Sequence, residues 1–195
     1  DGLQKPANVL PRIKHFLADR REATAIATCR RKQNGGQFTG TLAAQLEILE
    51  GAAAAGCQIV DLEIESAEGA KASQINKLRA SGAALLISFH DYSRTRGLAQ
   101  AADRIEAFKP DYVKVVSMAR SLADNLAMLR LIEDRSQSSH FVGIAMGEEG
   151  ILSRVLGPRS GGVFTFASFS EGTETAPGQV SARTLLDVYR MDQLD

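Results

Sequence analysis

The sequence predicts an α/β domain of the (β/α)8 TIM-barrel type, and three observations carry that expectation. Short β-rich runs alternate with longer helical segments, several runs turn polar groups to one side, and no phosphate-binding GxGxxG follows a strand. Six runs read as strands, near 23–30 (ATAIATCR), 59–64 (IVDLEI), 84–90 (ALLISFH), 111–117 (DYVKVVS), 141–146 (FVGIAM) and 162–167 (GVFTFA). Helical stretches fall between them at 40–56, 68–81, 95–108, 120–135 and 148–157, with a last one at 179–191. In 40–56, Leu42, Leu46 and Leu49 are spaced for one apolar face, with alanines filling close contacts. Gly56 and Gly82 stand where a left-handed closing residue is favoured, and Pro110 ends a helix before its strand.

Strand–helix alternation at this pitch means repeated parallel βαβ units, which a barrel or an open doubly wound sheet would both satisfy. The side chains separate the two. Alternate residues of a strand point to opposite faces. One face of 23–30 carries Thr24, Ile26, Thr28 and Arg30, and one face of 59–64 carries Asp61 and Glu63. Ala84, Leu86, Ser88 and His90 share a face, as do Tyr112, Lys114 and Val116. A sheet covered by helices on both sides would bury these groups singly, at high cost. A barrel gathers them at its C-terminal mouth. A complete barrel needs eight strands over about 250 residues, so six of the eight are present, in one partial barrel domain spanning 1–195.

Composition narrows the class. With 23 basic and 23 acidic residues the net charge is zero, so no field favours nucleic acid or an anionic membrane. The GAAAAG stretch at 51–56 is far too short to span a bilayer, and no basic region followed by an apolar run opens the chain. Cys29 and Cys57 make neither a disulfide framework nor a metal-binding spacing; they read as small buried residues in a reducing, cytoplasmic setting. The three histidines have no ligand spacing, which argues against a zinc site.

Lys114 is the first candidate for chemistry. A lysine in the middle of a β-branched parallel strand is costly unless it works, because burial disfavours its charge and leaves the amine free to attack carbonyls. His90, ending its strand on the polar face, suits proton transfer near neutral pH. Arg30 and Arg154 are candidate anion or hydroxyl clamps, although spacing alone does not distinguish Arg154 from Arg159. Asp61 and Glu63 are candidates to orient other groups or to form buried ion pairs with inward-facing arginine and lysine; Asp61 reads as structural, and Glu63 stays open.

TCRRKQNGGQFTG (28–40), IVDLEIE (59–65), SFHDYSRT (88–95), DYVKVVS (111–117), GIAMGEEGILSR (143–154) and TAPGQ (175–179) resemble, in order and spacing, the signature segments of type I 3-dehydroquinate dehydratases. The resemblance runs from Asp1 to about Tyr189. It implies a cofactor-free lyase that dehydrates the small molecule 3-dehydroquinate to 3-dehydroshikimate. Within it Lys114 matches the Schiff-base lysine and His90 the general acid and base. Arg154 matches the arginine that grips the substrate carboxylate, with Thr175 and Gln179 on the closing loop. Thr175 stands where serine is common. Arg30 matches the arginine that contacts ring hydroxyls, and Met146 and Phe166 match apolar walls.

Two departures accompany the resemblance. Asn34 occupies a position that is usually acidic and that orients and charges the histidine; Glu63 is a candidate to compensate. Relatives also carry two further strands before the segment matching Asp1, with a Glu-x-Arg pair that binds substrate. The YRMDQLD ending resembles the point where some relatives continue into a shikimate dehydrogenase domain, and the family suggests a homodimer. A class I aldolase would share the strand lysine, but the APGQ loop and His90 argue against it. A catalytically inactive barrel kept as a scaffold is the remaining alternative.

Overall fold

The computed structural model describes residues 6–20 and 22–193; Asp1, where the family resemblance begins, lies outside them. Helix α1 (Pro6–Ala18) is followed by β1 (Ile26–Thr28), α2 (Leu42–Ala54), β2 (Ile59–Glu63), α3 (Ile64–Gly69), α4 (Ala72–Arg79) and β3 (Ala84–His90). Then come α5 (Leu98–Glu106), β4 (Tyr112–Met118), α6 (Leu122–Arg135), β5 (His140–Met146), α7 (Ile151–Leu156) and α8 (Ala182–Asp187). The five strands form a parallel sheet in the order β1-β2-β3-β4-β5. Sequential order lacks the reversal that defines a doubly wound sheet and is the winding of a (β/α)8 barrel. The sheet does not close on itself among the described residues.

The chain divides into two compact units, one running to Ser88 with Ala107–Tyr112 added, the other comprising Phe89–Glu106 and the chain from Val113 onward. In the first, β1 pairs with β2 so that Thr28 stands opposite Asp61, and β2 pairs with β3 so that Glu63 stands opposite Ser88. Helix α2 packs on β1 and β2, burying Leu46, Leu49 and Ala52, while Val60, Leu62, Leu85 and Ile87 are buried on the strands. Cys29 and Cys57 are both unpaired and buried, as expected, and burial pushes the Cys29 thiol up to about 11.

In the second unit, α6 packs on β5 and α7. Ser153 fastens α7 to β5: its hydroxyl accepts from the Ala145 amide at 2.8 Å, and its own amide donates to Asn125 Oδ1 at 2.9 Å. Val116, Val142, Ile144 and Met146 form a buried apolar cluster, joined by Met118, Phe164, Phe166 and Ala176.

Several boundaries differ from the sequence reading, each for a local reason. The strand expected at 162–167 does not form; only an isolated bridge between Ser168 and Ser181 follows it. Val163 donates one hydrogen bond to Phe141 at 3.0 Å, but the Phe166 carbonyl accepts from the Arg154 guanidinium at 3.4 Å instead of from a neighbouring strand. The strand expected at 23–30 shortens to Ile26–Thr28, because the chain turns back after Arg30 and Phe38 N donates to Arg30 O at 3.1 Å. The turn needs Gly36, whose absent Cβ would lie 2.1 Å from the Arg30 carbonyl oxygen. The helix expected at 68–81 is two helices broken at Ala70, whose backbone is extended. Helix α1, with Pro11 inside it, was not anticipated.

At Gly143 on β5 an added Cβ would sit 2.5 Å from Ile132 Cγ1 and 2.8 Å from its Cδ1. Overpacking a tight contact between sheet and helix costs about 1–3 kcal/mol. Gly143→Ala is therefore expected to lower the unfolding free energy by that amount in urea titrations; an unchanged midpoint would contradict this packing.

Candidate active site

Two clusters gather the chemistry-bearing residues, one in each unit. The first surrounds Arg30, just past β1. Its Nη2 donates to Asp61 Oδ2 at 2.8 Å, its Nη1 to Ser88 Oγ at 2.9 Å, and Glu63 Oε1 lies 3.5 Å from Nη1. Ser88 donates to Asp61 Oδ1 at 2.6 Å. Of the two options open to the strand acids, ion pairing is the one seen here, with Arg30 closer to Asp61 than to Glu63.

Glu63 is held from several sides. The Arg31 amide donates to it at 3.1 Å, and Gln45 Nε2 donates at 2.5 Å. Gln45 also donates to the Cys29 carbonyl and accepts from Ser66, tying α2 to β1 and α3. Burial pushes the Glu63 carboxyl above its ordinary range, and the Arg30 charge opposes that rise. Asn34, at the usually acidic position, donates from Nδ2 to Glu65 Oε2 at 2.8 Å. An asparagine supplies the proton that a carboxylate facing Glu65 would lack.

The second cluster contains Lys114. It lies mid-strand on β4 and is only 7% exposed. Its Nζ sits 4.4 Å above the centre of the Phe166 ring. Phe166 makes an edge contact with Phe164 at 5.5 Å, and both pack against the apolar cluster that includes Val116 and Met146. The lysine therefore lies against the Phe166 ring and the apolar cluster that Phe166 packs on. His90 is half-buried at the end of β3, its ring stacked near-parallel to Tyr92 with centroids 6.0 Å apart.

Arg154, on α7, is 1% exposed. Its guanidinium donates to two main-chain carbonyls, Phe166 O at 3.4 Å and Pro177 O at 3.1 Å. Its Nε is buried and has no hydrogen-bond partner among the described residues. Burial pulls its pKa down to about 10, so the group remains cationic at neutral pH. Among the described residues its hydrogen bonds go to main-chain carbonyls and to no carboxylate.

The Pro177 carbonyl also accepts from the Gly147 amide at 3.0 Å, joining the 175–179 loop to the end of β5. Gly178 permits that approach, since a Cβ there would lie 2.1 Å from Gly147 O. On the loop, the Thr175 amide and hydroxyl donate to Gln179 Oε1 at 2.8 and 3.2 Å.

The sequence had marked Arg30, Asp61, Glu63, His90, Lys114, Arg154, Thr175 and Gln179. It missed Gln45 as the organiser around Glu63 and did not single out Ser88. The usable signal for Ser88 was its place on the same strand face as His90. Among the described residues no group of His, Cys, Asp and Glu could hold a metal ion, and no helix is long and apolar enough to cross a membrane.

Known proteins share this arrangement of chain and fold. The family model for type I 3-dehydroquinase matches residues 2–195. A 3-dehydroquinate dehydratase of Dehalococcoides mccartyi is 34% identical over 168 residues, covering 85% of this chain and 74% of that protein. The crystal structure of 3-dehydroquinate dehydratase from Geobacillus kaustophilus superposes with a TM-score of 0.83 at 24% identity, over 98% of this chain and 77% of the other. The dehydroquinate dehydratase and shikimate dehydrogenase of S. pombe superposes with a TM-score of 0.69 at 26% identity, over 88% of this chain and 34% of that one. With a family model matching nearly its whole length, this chain belongs to the type I 3-dehydroquinase family.

Proposed function

We propose that the chain dehydrates 3-dehydroquinate to 3-dehydroshikimate through a Schiff base on Lys114, with His90 as general acid and base. The observation that carries this reading is the amine itself, buried in mid-strand against the Phe166 ring and the apolar cluster behind it. Such burial favours the neutral, nucleophilic form, while the ring face lends some stability to the cation.

In the proposed sequence, the free amine adds to the substrate ketone, and loss of water from the carbinolamine leaves an iminium. His90 takes a proton from the carbon next to it, and the electron pair moves into the iminium to give an enamine. The enamine expels the hydroxyl on the following carbon, which departs as water with the proton held by His90. Hydrolysis of the imine returns the amine and the conjugated ketone. One water is lost overall, and no oxidant or reductant is required.

Arg154 would bind the substrate carboxylate in a bidentate fork, with Thr175 and Gln179 contributing from the loop. The role of Arg30, contact with ring hydroxyls, is assigned by its match to the family motif. The unpaired buried cysteines fit a reducing, cytoplasmic setting.

Two sets of variants test the reading. Lys114→Met is expected to abolish formation of the conjugated ketone, followed by its ultraviolet absorbance. His90→Ala should lower kcat by about 10²- to 10⁴-fold. Turnover by Lys114→Met close to that of the parent would exclude the Schiff base. Arg154→Met removes a buried charge that no carboxylate among the described residues neutralises, so Tm should stay level or rise. Its KM should increase about 10- to 100-fold, the loss expected for a hydrogen bond to a charged group. An unchanged KM would remove Arg154 from substrate binding.

A further inference from the structure

We infer that Ser88 and Asp61 are positioning residues that aim the Arg30 guanidinium, so that Ser88 governs substrate affinity through Arg30 without touching substrate. The inference rests on the proposed contact between Arg30 and the substrate ring hydroxyls. Arg30 lies beside two carboxylates, Asp61 at 2.8 Å and Glu63 at 3.5 Å. Coulomb attraction alone has little directional preference, and it would let the guanidinium swing between them. The hydrogen bonds remove that freedom.

A serine hydroxyl has one proton and two lone pairs. The Ser88 proton goes to Asp61 Oδ1 at 2.6 Å, and a lone pair accepts Arg30 Nη1 at 2.9 Å. Arg30 Nη2 then reaches the other oxygen of the same carboxylate at 2.8 Å. Arg30, Ser88 and Asp61 thus close a ring in which every hydrogen bond has a defined direction. Glu63 is held apart by Gln45 and the Arg31 amide and cannot follow the guanidinium.

Burial makes the ring decisive. Ser88 is 0% exposed and Asp61 1%, so water cannot replace the hydroxyl at no cost. The Arg30 side chain keeps 13% of its surface exposed. The backbone on which it swings is also fixed, since Phe38 N donates to Arg30 O and Gly36 packs against the same carbonyl. Loss of the Ser88 hydroxyl removes the anchor of Nη1 while the Nη2–Asp61 bond remains, so the guanidinium plane is less tightly aimed. A group that binds ground state and transition state alike would then lose affinity more than turnover.

Steady-state kinetics with 3-dehydroquinate decide the matter, on Ser88→Ala, Ser88→Thr, Arg30→Lys and the double variant Arg30→Lys/Ser88→Ala. Ser88→Ala is expected to raise KM about tenfold and to leave kcat within about twofold, while Ser88→Thr restores KM by returning the hydroxyl. Arg30→Lys keeps a positive charge beside Asp61 and Glu63 but loses the planar fork, and should raise KM at least as much. Adding Ser88→Ala to it should change KM no further. If Arg30→Lys raises KM but Ser88→Ala lowers only Tm, Ser88 is structural, and the inference fails while Arg30 keeps its role. Multiplying effects in the double variant would show Ser88 acting independently of Arg30, which also overturns it. An unchanged KM in Arg30→Lys would remove Arg30 from substrate binding and the inference with it.

Discussion

Burying charge on a strand face is the constraint from which the rest of this molecule follows. Parallel strands flanked by helices have little access to water, and an ionised group there must find compensation within the protein. Of the three cations in the two clusters only Lys114 lies within a strand, and each meets different groups. Arg30 is neutralised by Asp61 and Glu63, Arg154 has two carbonyls and, among the described residues, no carboxylate, and Lys114 lies over an aromatic ring. Arg30 can therefore be a fixed part of the structure.

The packing elsewhere allows this placement. Leu62, Leu85 and Ile87 are fully buried on their strands in the first unit, as are Val115 and Phe141 in the second. Apolar burial of that kind supplies the stability that polar strand positions give up. The close approaches at Gly36, Gly143 and Gly178 set the chain where a side chain would not fit. Of these, Gly178 lets the 175–179 loop close on the end of β5, where the Pro177 carbonyl accepts from the Gly147 amide.

How much of this could be read beforehand depended on whether a residue's role was local. Strand β3 was legible to the residue, since its apolar alternation is bounded by Gly82 and Asp91. The strand positions of Lys114 and Asp61 were legible because a charge in a strand is conspicuous and strand periodicity assigns its face, whereas the pairing of Asp61 with Arg30 required the fold. The segment 162–167 has strand composition, yet the Phe166 carbonyl is taken by Arg154, and nothing local announces an arginine twelve residues earlier in the chain. Ser88 and Gln45 were hidden for a related reason. Neither is charged, and each matters only through partners distant in sequence, Asp61 for Ser88 and Glu63 for Gln45. Asn34 was noticed as a departure, but Glu65 as its partner required the fold.

The central claim is that one amine, that of Lys114, forms a covalent link to the substrate. It is tested most directly by adding borohydride during turnover of 3-dehydroquinate and mapping the digested protein by mass spectrometry. The account predicts a single stable adduct, of substrate or product reduced at the imine carbon, on the peptide that carries Lys114. A protein that turns over substrate under these conditions with no adduct, or with one on another lysine, would contradict it.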